Sequence, residues 1–285
     1  TYVFITILVI AGPFLLSFDS RVAFYRHWKG VILATIPVST VYIIWDILVT
    51  QRGDWWFNPQ YAGDAKLLGL PPGEWLFFIT VPYACIFIYE VVRAYFPRKI
   101  YKPNEEHTPK LIVDIAAAAA LLSISFMIIF SHLDSSVLTL LAFTLWILVT
   151  LLWNPWLFRD IHTLWFMLLS QVAFLLVNGI LTGLPIVLYN PDAIWGIRII
   201  TIPLEDLFYN ISFLGLIQNV RRCIWYQLAC RTIRRNTSLL FSQIRICGYG
   251  QPQDDWRCQR KRPNYSRLLR RFRNDRTCSH RVKPL

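Results

Sequence analysis

The chain reads as long apolar runs separated by short polar breaks. Seven of the runs approach membrane length: Tyr2–Phe18, Val31–Thr50, Trp75–Phe96, Leu111–Phe130, Ser136–Trp153, Leu164–Leu184 and Ile200–Val220. A hydrocarbon core about 30 Å thick needs roughly 20 apolar residues of helix. Open sheet edges are not viable in lipid, so each run predicts a transmembrane helix. Any single run could be the core helix of a large soluble protein, but seven in succession argue against that. The expected fold is all-α, a polytopic membrane protein of about seven transmembrane helices.

Sliding the chain against itself at an offset of 132 aligns the two ends without gaps. Asp46 meets Asn178, Thr50 meets Thr182, and Phe57-Asn58-Pro59 meets Tyr189-Asn190-Pro191. Leu70-Pro71 meets Ile202-Pro203, Glu74 meets Asp206, and Phe77 meets Tyr209. An Asn-Pro, a Pro and an acid in one register predict a repeat. Spans one to three map onto five to seven, and span four, with its Ala116–Ala120 run, is left as a linker. The expected organisation is a first repeat over 1–96, a linker with the extra helix over 97–131, a second repeat over 132–220 and a tail over 221–285. Four crossings separate equivalent helices, so the repeats run parallel through the membrane and their acid-bearing loops share one side.

Composition strengthens the membrane reading: 55% of the 285 residues are hydrophobic and 16% charged. Soluble domains average about 45–50% and roughly 25%. The chain starts at Thr1 with no basic stretch before the first run and no small-residue cleavage site after it. That run is therefore expected to be a span and not a signal peptide. Lys and Arg gather after spans one, three, five and seven, while Arg52, Lys66 and Arg198 are the basic residues of the opposite loops. The positive-inside rule then predicts a cell-membrane protein with its amino terminus outside and its carboxyl terminus cytoplasmic.

The formal charge of +12 suggests nucleic acid, yet it is all in the tail. Residues 1–220 hold 12 Lys and Arg against 14 Asp and Glu, whereas 221–285 hold 17 against three. No nucleic-acid partner is expected. The tail carries five of six cysteines without a CxxC pair, which argues against zinc. Three readings of it stand: a patch for anionic lipid, an RNA-binding arm, or a shifted reading frame near Val220.

Charges inside a bilayer are costly, so Asp46, Glu74, Glu205 and Asp206 need a reason. Helix capping is the plain alternative, since acids in a first turn complement the helix dipole. Their recurrence at repeat-equivalent places after a proline points instead to proton transfer, for which buried carboxyls are suited. Trp45, Trp55, Trp56, Phe57, Trp75, Phe77, Phe78, Tyr83, Trp195, Phe208 and Tyr209 surround them. Such rings form interfacial belts, and they also stabilise cations. Asn58 and Asn190 fit loop-backbone bonding better than reaction. No GxGxxG and no P-loop is present, so no cofactor and no metal are expected. No lysine lies within a span, which excludes a retinal Schiff base.

Trp45-Asp46, Thr50, Trp56-Phe57-Asn58-Pro59 and Leu70-Pro71-Pro72-Gly73-Glu74-Trp75-Leu76-Phe77-Phe78 resemble the membrane-type lycopene β-cyclases. So do Phe14-Leu15-Leu16-Ser17-Phe18-Asp19, Tyr89-Glu90 and, in the second half, Pro203-Leu204-Glu205-Asp206-Leu207-Phe208-Tyr209. The resemblance covers roughly residues 1–220. It implies cyclisation of lycopene through γ-carotene to β-carotene with no net redox change. Glu74, Glu205, Asp206 and Asp46 would carry protons, and Trp45, Phe57, Asn58, Trp75, Phe78, Asn190, Phe208 and Tyr209 would contact substrate. The partners implied are a lipid-soluble carotenoid, the lipid bilayer and other carotenoid-pathway enzymes. Two departures stand out. Gly73 occupies the place of an acid that matches Glu205, and Arg221-Arg222 stand opposite Tyr89-Glu90. A proton-coupled carrier of a hydrophobic solute and an inactive cyclase relative are the alternatives.

Overall fold

The computed structural model describes residues 1–96, 110–129 and 134–224. The tail beyond 224, with four of its five cysteines, lies outside them. All seven apolar runs are helices: α1 (Tyr2–Leu16), α2 (Trp28–Arg52), α4 (Pro72–Tyr95), α5 (Lys110–Ile129), α6 (Asp134–Trp153), α7 (Ile161–Gly183) and α8 (residues 204–224). A one-turn helix, α3 (Pro59–Ala62), follows Asn58. Among the described residues, five helices are long and apolar enough to cross a membrane, those of α2, α4, α5, α6 and α7. The protein is an all-α polytopic membrane protein.

The distribution of polarity fits lipid outside and protein inside. Leu111, Ile115, Leu122, Ile128, Leu152 and Leu176 are exposed, while Asp46, Glu74, Glu205, Asn178, Asn210 and Asn219 are buried. In lipid, close packing and interhelical hydrogen bonds replace the hydrophobic effect as the glue between helices. Small residues supply close packing where α5 meets α6: Ala116, Ala119 and Ala120 lie against Phe143 and Ile147.

Prolines test the backbone bonding. Pro82 inside α4 has no N–H and leaves the Phe78 carbonyl free. Ser39 of α2 donates its hydroxyl to that carbonyl at 3.0 Å. The equivalent place between α7 and α8 is filled by Gln171 and Asn210, which bond each other. In the first half a neighbouring side chain thus repairs the break, as intramembrane backbone requires; the second half has Leu214 in the place of Pro82 and no such break.

Helix starts are spaced by 132 or 133 residues. α1, α2 and α4 begin at 2, 28 and 72, and α6, α7 and α8 begin at 134, 161 and 204. The strand β1 (Trp55–Phe57) pairs antiparallel with β2 (Val187–Tyr189), its own repeat partner, with Trp56 opposite Leu188. Flanking bonds reciprocate: Asn58 N–H donates to Ile186 O at 2.9 Å, and Asn190 N–H to Asp54 O at 2.8 Å. A contact that maps onto itself when its partners are exchanged is isologous, so a pseudo-two-fold axis passes between Trp56 and Leu188.

One helix boundary differs from expectation. The seventh run was expected to be helical from Ile200, but β3 (Arg198–Ile199) and β4 (Ile202–Pro203) form a hairpin there. Ile200 turns it with φ +60. The residue before a proline avoids the α region, so Ile202 stays extended and the helix starts after Pro203.

Candidate active site

Six helices and the β1–β2 ribbon enclose a cavity of about 60 Å³ on the pseudo-two-fold axis. Its walls come in repeat-related pairs: Asp46 and Asn178, Glu74 and Asp206, Phe77 and Tyr209, Trp55 and Val187, Phe57 and Tyr189. Tyr2, Ser135, Thr139, Leu181 and Glu205 complete most of the lining. Pro71 and Pro203 halt the preceding extended segments, so Glu74 and Asp206 fall in the first turns of α4 and α8.

Two carboxyl groups meet in the first half. Asp46 and Glu74 interact directly. The Trp55 indole N–H donates to Asp46 Oδ1 at 2.8 Å, and the Tyr2 hydroxyl donates to Glu74 Oε2 at 2.5 Å. In the second half an amide replaces one acid. Asn178 Nδ2 donates to Asp206 Oδ2 at 2.6 Å, and the Tyr189 hydroxyl reaches the same oxygen at 2.7 Å. Burial raises the Tyr189 phenol well above its usual range, and Asp206 adds to the effect, so the phenol keeps its proton. Glu205 is held apart from Asp206: the Ser136 hydroxyl and the Trp195 N–H each donate to its Oε1 at 2.6 Å. Its Oε2 is buried with no hydrogen-bond partner.

The structure therefore brings together Asp46, Glu74, Glu205 and Asp206, with Phe57 and Tyr209 beside them. Other expected contact residues stand back from the cavity. Trp45 packs 4.9 Å from the Tyr209 ring, behind it. Phe78 is in the core against Phe213, and Phe208 packs on Phe143 and Trp195. The Trp75 indole donates to Leu67 O. Asn58 and Asn190 cap their turns by accepting from the Gln60 and Asp192 N–H groups, as the backbone alternative expected.

Several residues were not singled out from sequence as site residues. Asn178 and Tyr189 were findable, because the offset aligns them with Asp46 and Phe57. Tyr2, Ser135 and Ser136 carry no such signal, since the offset sets them against Asp134, Val3 and Phe4. Ser135 also ties the rim: its hydroxyl donates to Asp54 at 2.6 Å, and Asp54 pairs with Arg52.

At the opposite end of the bundle, buried Arg221 pairs with Glu90, and Arg222 pairs with Asp160. These arginines, opposite Tyr89-Glu90 in the repeat, are integral to the packing of α8. Burial alone would raise Asp160. The Arg222 guanidinium, the Thr163 hydroxyl and the His162 N–H outweigh that and hold it below the usual carboxyl range.

Fold and site define an all-α membrane protein whose buried carboxyls gather in one aromatic-walled cavity. The family model described as lycopene cyclase matches residues 1–92 and 134–224, and the chain belongs to that family. The match passes over α5, the helix without a repeat partner. No curated protein matches the chain, and no solved structure does.

Proposed function

We propose that the chain is a lycopene β-cyclase that closes β-rings at the ends of lycopene, giving γ-carotene and then β-carotene. The observation that carries this is the convergence of Asp46, Glu74, Glu205 and Asp206, from both halves, on one cavity. The reaction needs a proton added to the end-group alkene, attack of a neighbouring double bond on the cation, and loss of a ring proton. The atoms balance as an isomerisation, with no oxidant or reductant.

The site suits each step. Asp46 and Glu74 stand side by side, so a proton on one can be passed between them and on to the substrate. Asp206, fixed by two donors on one oxygen, is the counterpart in the other half. Tyr209 lines the cavity with Tyr42 and Trp45 packed on it at 5.0 and 4.9 Å, and a π face there favours a cation. A cavity of roughly 150 Å³ takes up benzene, so the 60 Å³ here must widen as the ring forms.

We assign all seven helices to crossings, with the amino terminus outside and the carboxyl terminus cytoplasmic in a cell membrane. No cofactor is required. The carotenoid reaches the site through lipid, supplied by other carotenoid-pathway enzymes.

The test is expression in lycopene-accumulating cells, with pigments separated by chromatography. Lycopene should give way to γ-carotene and β-carotene. Unchanged lycopene in cells holding the folded protein overturns the reading.

A further inference from the structure

The two halves differ at the first acid of the motif: Glu205 in α8 has Gly73 as its counterpart in α4. A Cβ added at Gly73 would lie 2.6 Å from Tyr2 Cδ1 and closer still to Cγ. The Tyr2 ring thus fills the space that a side chain at 73 would need. It is 1% exposed, stacks on Phe57 at 6.4 Å, and sends its hydroxyl to Glu74 Oε2 at 2.5 Å.

Resting on the cyclase reading above, we propose that Tyr2 is a positioning residue that stands in for the missing first carboxyl of the α4 motif. The phenol occupies Oε2 and fixes the orientation of the carboxyl that meets Asp46. Glu205, by contrast, is held by Ser136 and the Trp195 backbone, partners with no acidic group. The second half therefore carries a carboxyl set aside from Asp206. The first carries a phenol locked onto Glu74. This makes Gly73 part of a working site and not a lesion.

The hydroxyl has a measurable signature. The titratable groups facing Glu74 are Tyr2 on α1, Asp46 on α2, Tyr189 on β2, and Asp206 and Tyr209 on α8. Removing one donor from Glu74 alters its balance against Asp46 and Asp206, which shifts the pH profile of turnover. A residue that merely filled space would leave that profile in place.

The experiment uses the full chain in liposomes loaded with lycopene. Tyr2→Phe keeps the ring and should lower kcat at least about tenfold, with KM within about twofold and a displaced pH profile. An active wild type with Tyr2→Phe matching it in rate and profile overturns this inference alone. A wild type that leaves lycopene unchanged overturns the cyclase reading, and this inference with it. Assembly gives an independent readout, decisive even where Tyr2→Phe folds poorly. Gly73→Glu alone should lose its monodisperse peak on size exclusion, and Gly73→Glu with Tyr2→Ala should regain it. Gly73→Glu assembling and turning over like wild type overturns the proposal.

Discussion

Asp206 Oδ2 takes hydrogen bonds from both Asn178 and Tyr189, while Asp46 Oδ1 takes one from Trp55. Each carboxyl is thereby fixed in rotamer and aimed, which general acid–base chemistry requires before any tuning of acidity. Asp46→Asn and Asp206→Asn should each lower kcat by about 10²–10⁴-fold, with protein yield unchanged. Asn keeps the shape and the acceptor oxygen, so a small effect on turnover from either change would remove that residue from proton transfer. Glu205 keeps one oxygen unpartnered in the cavity wall.

Helices that carry proline depend on their neighbours. Ser39→Ala removes the side-chain hydrogen bond to the Phe78 carbonyl freed by Pro82, with little change of shape. Leaving a buried acceptor unsatisfied costs about 1–3 kcal/mol, so Tm in detergent should fall. An unchanged Tm would mean that the carbonyl finds another donor. Close approach is equally specific where α6 meets α8. A Cβ on Gly215 would sit 2.6 Å from Trp146 Cδ1, so Gly215→Leu should drive the two helices apart and lower the folded yield. Yield equal to wild type would show that Trp146 has room to turn.

Across the whole molecule, the halves are joined at both ends. The β1–β2 ribbon closes the site end, and the Glu90–Arg221 pair with the hydrogen bond from the Tyr89 hydroxyl to Asp160 closes the other. Asp160 is held below its usual range, so its stabilising contribution is complete above the unfolded value near about 3.9 and lost as pH falls through the folded one. The Tm gap between wild type and Asp160→Asn should therefore be full at neutral pH and shrink below about pH 4. A gap independent of pH would show that capping of α7, and not charge, is the contribution of Asp160.

The apolar runs determined the helices, because lipid leaves a spanning backbone no choice but to bond within itself. The offset of 132 was legible too: it sets Asp46 against Asn178, Glu74 against Asp206 and the Asn-Pro turns against each other, and a structure with a pseudo-two-fold places them alike. Sequence did not fix the end of the hairpin at Pro203, where a local turn overrides an apolar run. It also could not show which aromatic rings face the acids. Trp45, Trp75, Phe78 and Phe208 have the same composition signal as Phe57 and Tyr209, and only helix rotation and packing separate them. Tyr2 is the clearest case. Seventy-two residues from Glu74, it meets that carboxyl because α1 packs on α4 and Gly73 leaves room for the ring. Local pattern sets which segments are helical, whereas a contact between distant segments is decided by how the helices pack against one another.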